Sequence, residues 1–362
     1  MRGADEKQAS MLCLLSPEDR VPKDHPLRRI KKLADEALAA MSPLFDEMYS
    51  DVGRPSVPPE RLIKASLLIA LYTVRSERQF CEQLDYNLLF RWFLDMSMVE
   101  PSFDPTVFTK NRARLIEHDV GRQVLGAVVG QARAAGLMSS EHFTVDGTLI
   151  EAWASLKSFK RKDGSGQQPP DDPGNPSVDF HREKRSNDTH QSTTDPEARL
   201  AKKGKGKEAK LSYSQHALME NRNGLLVDLR IAPATGTAER ETARDMLDEL
   251  SGEQRLTVGG DKGFDTRQFV AECREMGVTP HVAQNISANR TSAVDGRTTR
   301  HAGYTISQRI RKRIEEIFGW AKTIGGFRKT RYRGEARTQL ASCLVGAAYN
   351  LLRMAKLLAQ PT

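Results

Sequence analysis

The chain of 362 residues has only four cysteines, Cys13, Cys81, Cys273 and Cys343. They lie far apart and none forms a C-x-x-C pair, which argues against a zinc site and against a disulfide scaffold. Reduced cysteines of an intracellular protein are the reading left. No charged-then-apolar leader opens the sequence. The longest apolar run, around Leu67–Tyr72, is far too short to span a bilayer. These absences predict a soluble, cytoplasmic protein with no membrane partner. An internal repeat and an obvious nucleophile motif are missing as well.

What is present is charge. The net charge is +8, the isoelectric point is about 9.3, and the mean hydropathy is −0.54. A basic excess fits a polyanion partner, of which nucleic acid is the commonest. The low hydropathy points to stretches of solvated linker. The length suits two or three domains.

Residues 1–135 read as helical. Leu27, Ile30, Leu33, Ala34, Ala37 and Leu38 form a helical stripe within Pro26–Met41. Pro58–Pro59 opens a second, strongly apolar helix, Glu77–Phe93 reads as a third, and Asp104–Pro105–Thr106 starts another. Short helices joined by tight turns fit either a helix-turn-helix unit that docks on DNA or a plain bundle packed against the next domain.

From residue 136 the pattern changes. Glu141–Ile150 alternates as a strand. Ser158 to about Ser192 is rich in Gly, Pro, Asp, Ser and Lys, and Ala201–Lys210 is a lysine-glycine run. Residues 158–210 therefore read as a flexible insertion. Leu211–Met219 and Leu225–Ile231 read as a hairpin with Asn-Gly in its turn. Then come a helix (Glu239–Leu250), a strand (Leu256–Val258) ending in Gly259–Gly260–Asp261, a helix (Thr266–Met276) and a strand (Val278–Val282). Asn285–Tyr304 is polar and loop-like, and Glu335–Leu358 is a long amphipathic helix. Three antiparallel strands followed by parallel additions through helical crossovers predict an α/β fold. It is an RNase H-like mixed sheet with flanking helices, preceded by an all-α N-terminal domain.

The stretch Ile306–Lys329 reads as a helix crowded with Arg and Lys around two glutamates. On it Arg311, Glu315 and Lys322 share one face. A carboxylate among cations suits a surface that holds a metal ion beside a polyanion. Asp146 sits mid-strand, where Asp is disfavoured. Asp261 follows a strand end, where α/β sheets build their sites. Two Mg²⁺ ions about 3.5–4 Å apart can activate the attacking oxygen and stabilise the leaving one in phosphodiester cleavage, and Mg²⁺ prefers carboxylates and water. Taken singly, each of the three has a structural explanation: an edge-strand Asp, a turn or cap, a salt-bridge partner.

These motifs together resemble the DDE-type transposases of bacterial insertion sequences, in the IS-four/IS-five superfamily, over nearly the whole chain. FTVDGTLIEAWAS carries Asp146 as the first Asp. STTDPEARL (Ser192–Leu200), with Leu211–Tyr213 and His216, resembles the segment after a variable linker. GGDKGFD carries Asp261 as the second Asp, and RIEEIFGWAK carries the Glu. The family signature is Tyr, two residues, Arg, three residues, Glu, six residues, Lys. Arg311, Glu315 and Lys322 match it, whereas Gln308 stands at the Tyr position. Counted from Glu316, none of the three positions matches, which favours Glu315.

The resemblance implies that Asp146, Asp261 and Glu315 are catalytic and bind two Mg²⁺ ions, for which Mn²⁺ can substitute. It implies that Arg311 and Lys322 grip DNA near the scissile phosphate, with Thr148 a candidate contact. Arg328, Lys329, Arg331 and Arg333 follow in a span free of acidic residues from Lys322 to Arg333, and read as further phosphate contacts. The implied partners are double-stranded DNA, as terminal inverted repeats and target, and a second copy in a homodimer on DNA. The implied place is the bacterial cytoplasm, at the nucleoid. The implied reaction nicks the ends of a mobile element and joins the freed 3′-OH to target DNA. A catalytically silent DNA-binding repressor and a metal-dependent nuclease without strand transfer are the competing readings.

Overall fold

A computed structural model describes residues 16–163 and 185–359, apart from 51, 54, 205, 251, 253 and 254. Its sheet strands are β1 (His142–Glu151), β4 (Arg199–Lys202), β5 (Ala209–Glu220), β6 (Leu226–Pro233), β7 (Leu256–Gly260) and β8 (Val278–Val282). The short strands β2 (Phe159–Arg161) and β3 (His190–Ser192) pair separately. The sheet runs β4-β5-β1-β7-β8, and β6 pairs with β5 beyond the stretch taken by β4. β1, β5 and β6 are antiparallel; β7 and β8 add parallel to β1. This is the RNase H-like order.

Alternation along β1 divides the molecule. Phe143 and Val145 face a core with Leu218, Met246, Val258 and Phe269. Ile150 faces the other core, which also contains Ile314, Ile317 and Phe318, the helix Glu335–Leu357 and the N-terminal helices. That long C-terminal helix packs on Val120–Ala134, Pro59–Leu71 and Pro26–Ala39. Two glycines permit the close approach: a Cβ at Gly121 would lie 3.0 Å from Leu340 Cδ1, and one at Gly346 would lie 3.0 Å from Leu229 Cδ2.

Several local expectations change. Glu77–Phe93 is two helices, Glu77–Tyr86 and Leu88–Phe93, because the Asn87 side chain accepts from Phe90 N at 3.1 Å and caps a new start. The hairpin turn does hold Asn223–Gly224, with Gly224 at φ 70°, but it is longer than a two-residue turn, running over 221–225. Its residues wrap the buried Glu220 carboxylate, which accepts from the N–H groups of Arg222, Asn223 and Leu225. Asn285–Tyr304 contains a short helix, Gly296–Thr299, and the start of the helix Ala302–Ile310. Of the segment read as a flexible insertion, 164–184 lie outside the described residues. Its described ends form β2, β3 and β4, with β4 paired to Leu211–Ser212 and the lysine run.

Candidate active site

Asp146 and Asp261 are neighbours through the sheet. β1 and β7 run parallel with Thr144 opposite Gly259. Two residues further on, Asp146 lies beside Asp261, just past the end of β7. Asp261 caps the turn that follows, accepting from Gly263 N at 2.6 Å. Asp146 accepts from Gly147 N at 2.8 Å.

The Arg/Glu stretch is not one helix. Ala302–Ile310 gives way to a 3₁₀ turn at Arg311–Arg313, and Ile314–Thr323 resumes as α-helix. Backbone angles stay helical through the turn, and the turn and the helix after it run against β1. Arg311 Cβ would sit 3.4 Å from a Cβ at Gly259. At the other end, Lys322 Nζ donates to Thr148 Oγ1, two residues beyond Asp146 on the same face of the strand. Glu315 lies between them. Its charge reaches Asp146, whereas Glu316 acts on Tyr349 of the C-terminal helix.

Electrostatics mark the cluster. Burial pushes the Asp146 carboxyl up to about 6. Asp261 and Glu315 add to this, while the Gly147 amide and Arg311 oppose it. Glu239, at the start of the helix Ala238–Leu250, is pushed up to about 7 by burial and by Asp261 and Asp146. Among the described residues, none of these four carboxylates has a cationic side chain within 4.0 Å. Like charges crowded without a counter-ion suit a divalent cation. That donor set of hard oxygens fits Mg²⁺ or Mn²⁺. As placed, no three Asp, Glu, His or Cys side chains among the described residues already form a metal-holding group.

The cations divide by role. Burial pulls the Lys322 ammonium down to about 8, with Lys203 and Arg328 adding to the effect. Arg311 Nε donates to Gln308 Oε1 at 3.1 Å, and Gln308 Nε2 donates to the His281 carbonyl. Gln308, at the position of the signature Tyr, therefore ties Arg311 to β8. Arg328 and Arg333 are exposed. Lys329 is shared with Glu151 at 3.5 Å and lies over the half-exposed Trp153 ring. Arg331 is half-buried and donates to the Val74 carbonyl at 3.0 Å, at the seam with the N-terminal helices. Its guanidinium adds a polar contact to the apolar packing there.

Glu239 and His216 were not singled out as site residues in the sequence. Glu239 sits in an ordinary amphipathic helix start, TAERETARDML, where acidic residues favour the helix dipole. Only the fold brings it against Gly147. His216 pairs across the strands with Gly147. It is buried, and burial holds it neutral with its imidazole pulled down to about 4.

Two family models match this chain. One is described as a transposase domain (DUF772) and covers residues 15–114. The other is described as a transposase DDE domain and covers residues 183–351, which include Asp261 and Glu315. Asp146 lies between the two. Among solved structures, the chain is similar to a piggyBac transposase synaptic complex with hairpin DNA at 10% identity, with 90% of this chain and 73% of that chain covered and a TM-score of 0.40. A Mos1 strand transfer complex matches at 9% identity over 84% and 79% of the two chains, TM-score 0.20. A Mos1 mariner paired-end complex with Mn matches at 11% over 93% and 97%, TM-score 0.20. Likenesses this distant decide nothing about the chemistry of the site.

Proposed function

We propose that this chain, which belongs to the DDE-type transposases of insertion sequences, holds its divalent metal on Asp146, Asp261 and Glu315. Family membership makes it an enzyme of metal-dependent DNA cleavage and strand transfer. The finer reading is two-metal chemistry, with Mg²⁺ or Mn²⁺, that nicks the ends of the element and joins the 3′-OH to target DNA. The observation that carries it is Asp146 beside Asp261 at the parallel pairing of β1 and β7, with Glu315 on a helix packed against β1 and close enough for its charge to act on Asp146.

When bound, the metal activates the attacking oxygen and stabilises charge on the leaving oxygen. The protein does the rest by positioning. The three carboxylates come from a strand centre, a strand end and a packed helix, so their backbones are rigid before DNA arrives. Arg311, held by Gln308, and Lys322, held by Thr148, flank Glu315. Both present charge to the phosphates next to the scissile one. Arg328 and Arg333 extend the basic track over exposed surface. Lys329 and Arg331 contribute less to DNA, since each already has a partner in the protein. Joining two ends calls for two copies on one DNA, with the outer faces of the N-terminal helices as the candidates to recognise the ends or to dimerise.

The test is cleavage of a supercoiled plasmid carrying the element's ends with Mg²⁺. Asp146→Asn, Asp261→Asn and Glu315→Gln should each abolish nicking and leave DNA binding in place. Retained nicking by any of them removes it from the metal site. Loss of nicking with Glu316→Gln but not Glu315→Gln would exchange the two glutamates. Nicks that never become joined product would make this a nuclease without strand transfer.

A further inference from the structure

Behind the aspartates, on the opposite face of the sheet from Glu315, a second carboxylate reaches toward the same place. The helix Ala238–Leu250 packs through Ala243, Met246 and Leu247 on the face that carries Val145 and Leu218. Gly147 follows Asp146 and by strand alternation turns to that face. A Cβ on Gly147 would lie 2.8 Å from Glu239 Oε1 and 3.0 Å from His216 Nδ1. A larger residue there would push the Glu239 carboxylate or the His216 ring aside. The other oxygen, Oε2, points toward the turn after β7: a Cβ on Gly263 would lie 3.5 Å from it and 2.8 Å from Asp261 Oδ1. The Glu239 carboxylate thus spans from Gly147 to the Asp261 turn.

A second observation points to a ligand. The His216 side chain is 1% exposed, and neither ring nitrogen has a hydrogen-bond partner among the described residues. Polar groups sealed from water are normally paired, and an orphaned one calls for an explanation. Its Nδ1 abuts the same point as Glu239 Oε1. Carboxylates that hold a metal are themselves held by hydrogen bonds from behind.

We propose that Glu239 is a fourth carboxylate of the metal site, with Oε2 turned to the divalent cation held by Asp261, and that His216 is its positioning residue, donating to Oε1 in the metal-bound form. The ligand class is a hard divalent cation that favours oxygen donors. The proposal rests on the metal-site reading above and adds a residue from the other face of the sheet.

The experiment uses the full chain stripped with EDTA and then titrated with Mn²⁺ alone, without DNA. Calorimetry gives affinity, and thermal unfolding gives the shift in Tm on adding Mn²⁺. Glu239→Gln should weaken Mn²⁺ binding at least tenfold and shrink the Mn²⁺-induced rise in Tm, with a metal-free Tm no lower than that of the unaltered chain. Glu239→Asp should restore part of the affinity, and His216→Gln should weaken binding severalfold. Glu239→Gln that binds Mn²⁺ like the unaltered chain, while Asp261→Asn does not bind, overturns this proposal alone. Unaltered binding by Asp261→Asn overturns the metal-site reading and this proposal with it. A metal-free Tm that falls by several degrees in Glu239→Gln would make Glu239 a structural helix-start residue and overturn the proposal.

Discussion

The ammonium of Lys322 donates to the hydroxyl of Thr148, two residues along β1 from Asp146. The bond pins the end of the Glu315 helix to the strand that carries the first aspartate. Thr148→Val keeps the shape and removes the acceptor, so the helix end loosens and Lys322 is free to wander. Cleavage by Thr148→Val should drop about tenfold, in line with a ~1.4 kcal/mol loss of positioning, and Thr148→Ser should recover most of it. A kcat series on the element-end plasmid checks this. Equal activity of Val and Thr at 148 would leave the bond without a role.

Gln308 predicts a different defect. It anchors Arg311 rather than touching a phosphate. Gln308→Ala should weaken DNA binding severalfold with an unchanged slope of log affinity against log salt, because the charge stays while its placement is lost. Arg311→Ala should reduce that slope by about one. Binding isotherms across a salt series separate the two.

Arg331 and Arg333 should part company. Arg331→Ala removes a charge-assisted hydrogen bond to the Val74 carbonyl at the seam and should cost about 1–3 kcal/mol of stability. Arg333→Ala should leave Tm in place and lower DNA affinity. Urea unfolding and DNA binding of both variants, run side by side, would expose the reverse pattern if the assignment is wrong.

The carboxylate cluster sets a pH dependence in the metal-free protein. Asp146 rises from an ordinary 3.8 to about 6, and Glu239 from 4.5 to about 7. Below the unfolded values both states are protonated, and the cluster imposes no penalty. As pH climbs from about 4 to 7 the unfolded chain ionises first, so stability falls, and it levels off above the folded values. The loss should reach up to ~3 kcal/mol for Asp146. Tm in EDTA should therefore fall from pH 5 to pH 7.5, and Asp146→Asn should flatten that fall relative to the unaltered chain. Identical pH profiles would mean that Asp146 ionises normally.

Gly147→Ala tests the close approach directly. The new methyl meets Glu239 Oε1 at 2.8 Å and His216 Nδ1 at 3.0 Å. Overpacking of this kind costs about 1–3 kcal/mol. A Tm equal to that of the parent would show that the two side chains yield freely.

Period and punctuation suffice to read β1, β5, β6, β7 and β8 and their order, whereas β4 lies in the segment read as a flexible insertion. Asp146, Asp261 and Glu315 stand out as candidates with the help of the family resemblance. β8 is Val278–Val282 in both readings, and β1 differs by a residue at each end. What escaped was set by side chains acting at a distance. Asn87 splits a helix through its cap, and Glu220 sets the shape of a turn whose place alone Asn223–Gly224 announce. The 3₁₀ turn at Arg311–Arg313 has no Pro or Gly to signal it, and its backbone angles stay helical throughout. Glu239 and His216 join the site only because Gly147 admits them, and no spacing in the sequence links residues 147, 216 and 239. Arg331 reads as one more cation in a basic run until Val74 is placed beside it.

The C-terminal helix Glu335–Leu357 completes the core that the N-terminal helices begin, with Leu340 and Cys343 against Gly121 and Gly346 against Leu125. A chain emerging from the ribosome therefore makes its N-terminal third long before the helix that packs across it. Until Glu335–Leu357 follows, the parts of Val120–Ala134, Pro59–Leu71 and Pro26–Ala39 that it covers stay open. Closure of that core depends on residues about two hundred or more positions further along the chain than the helices they cover.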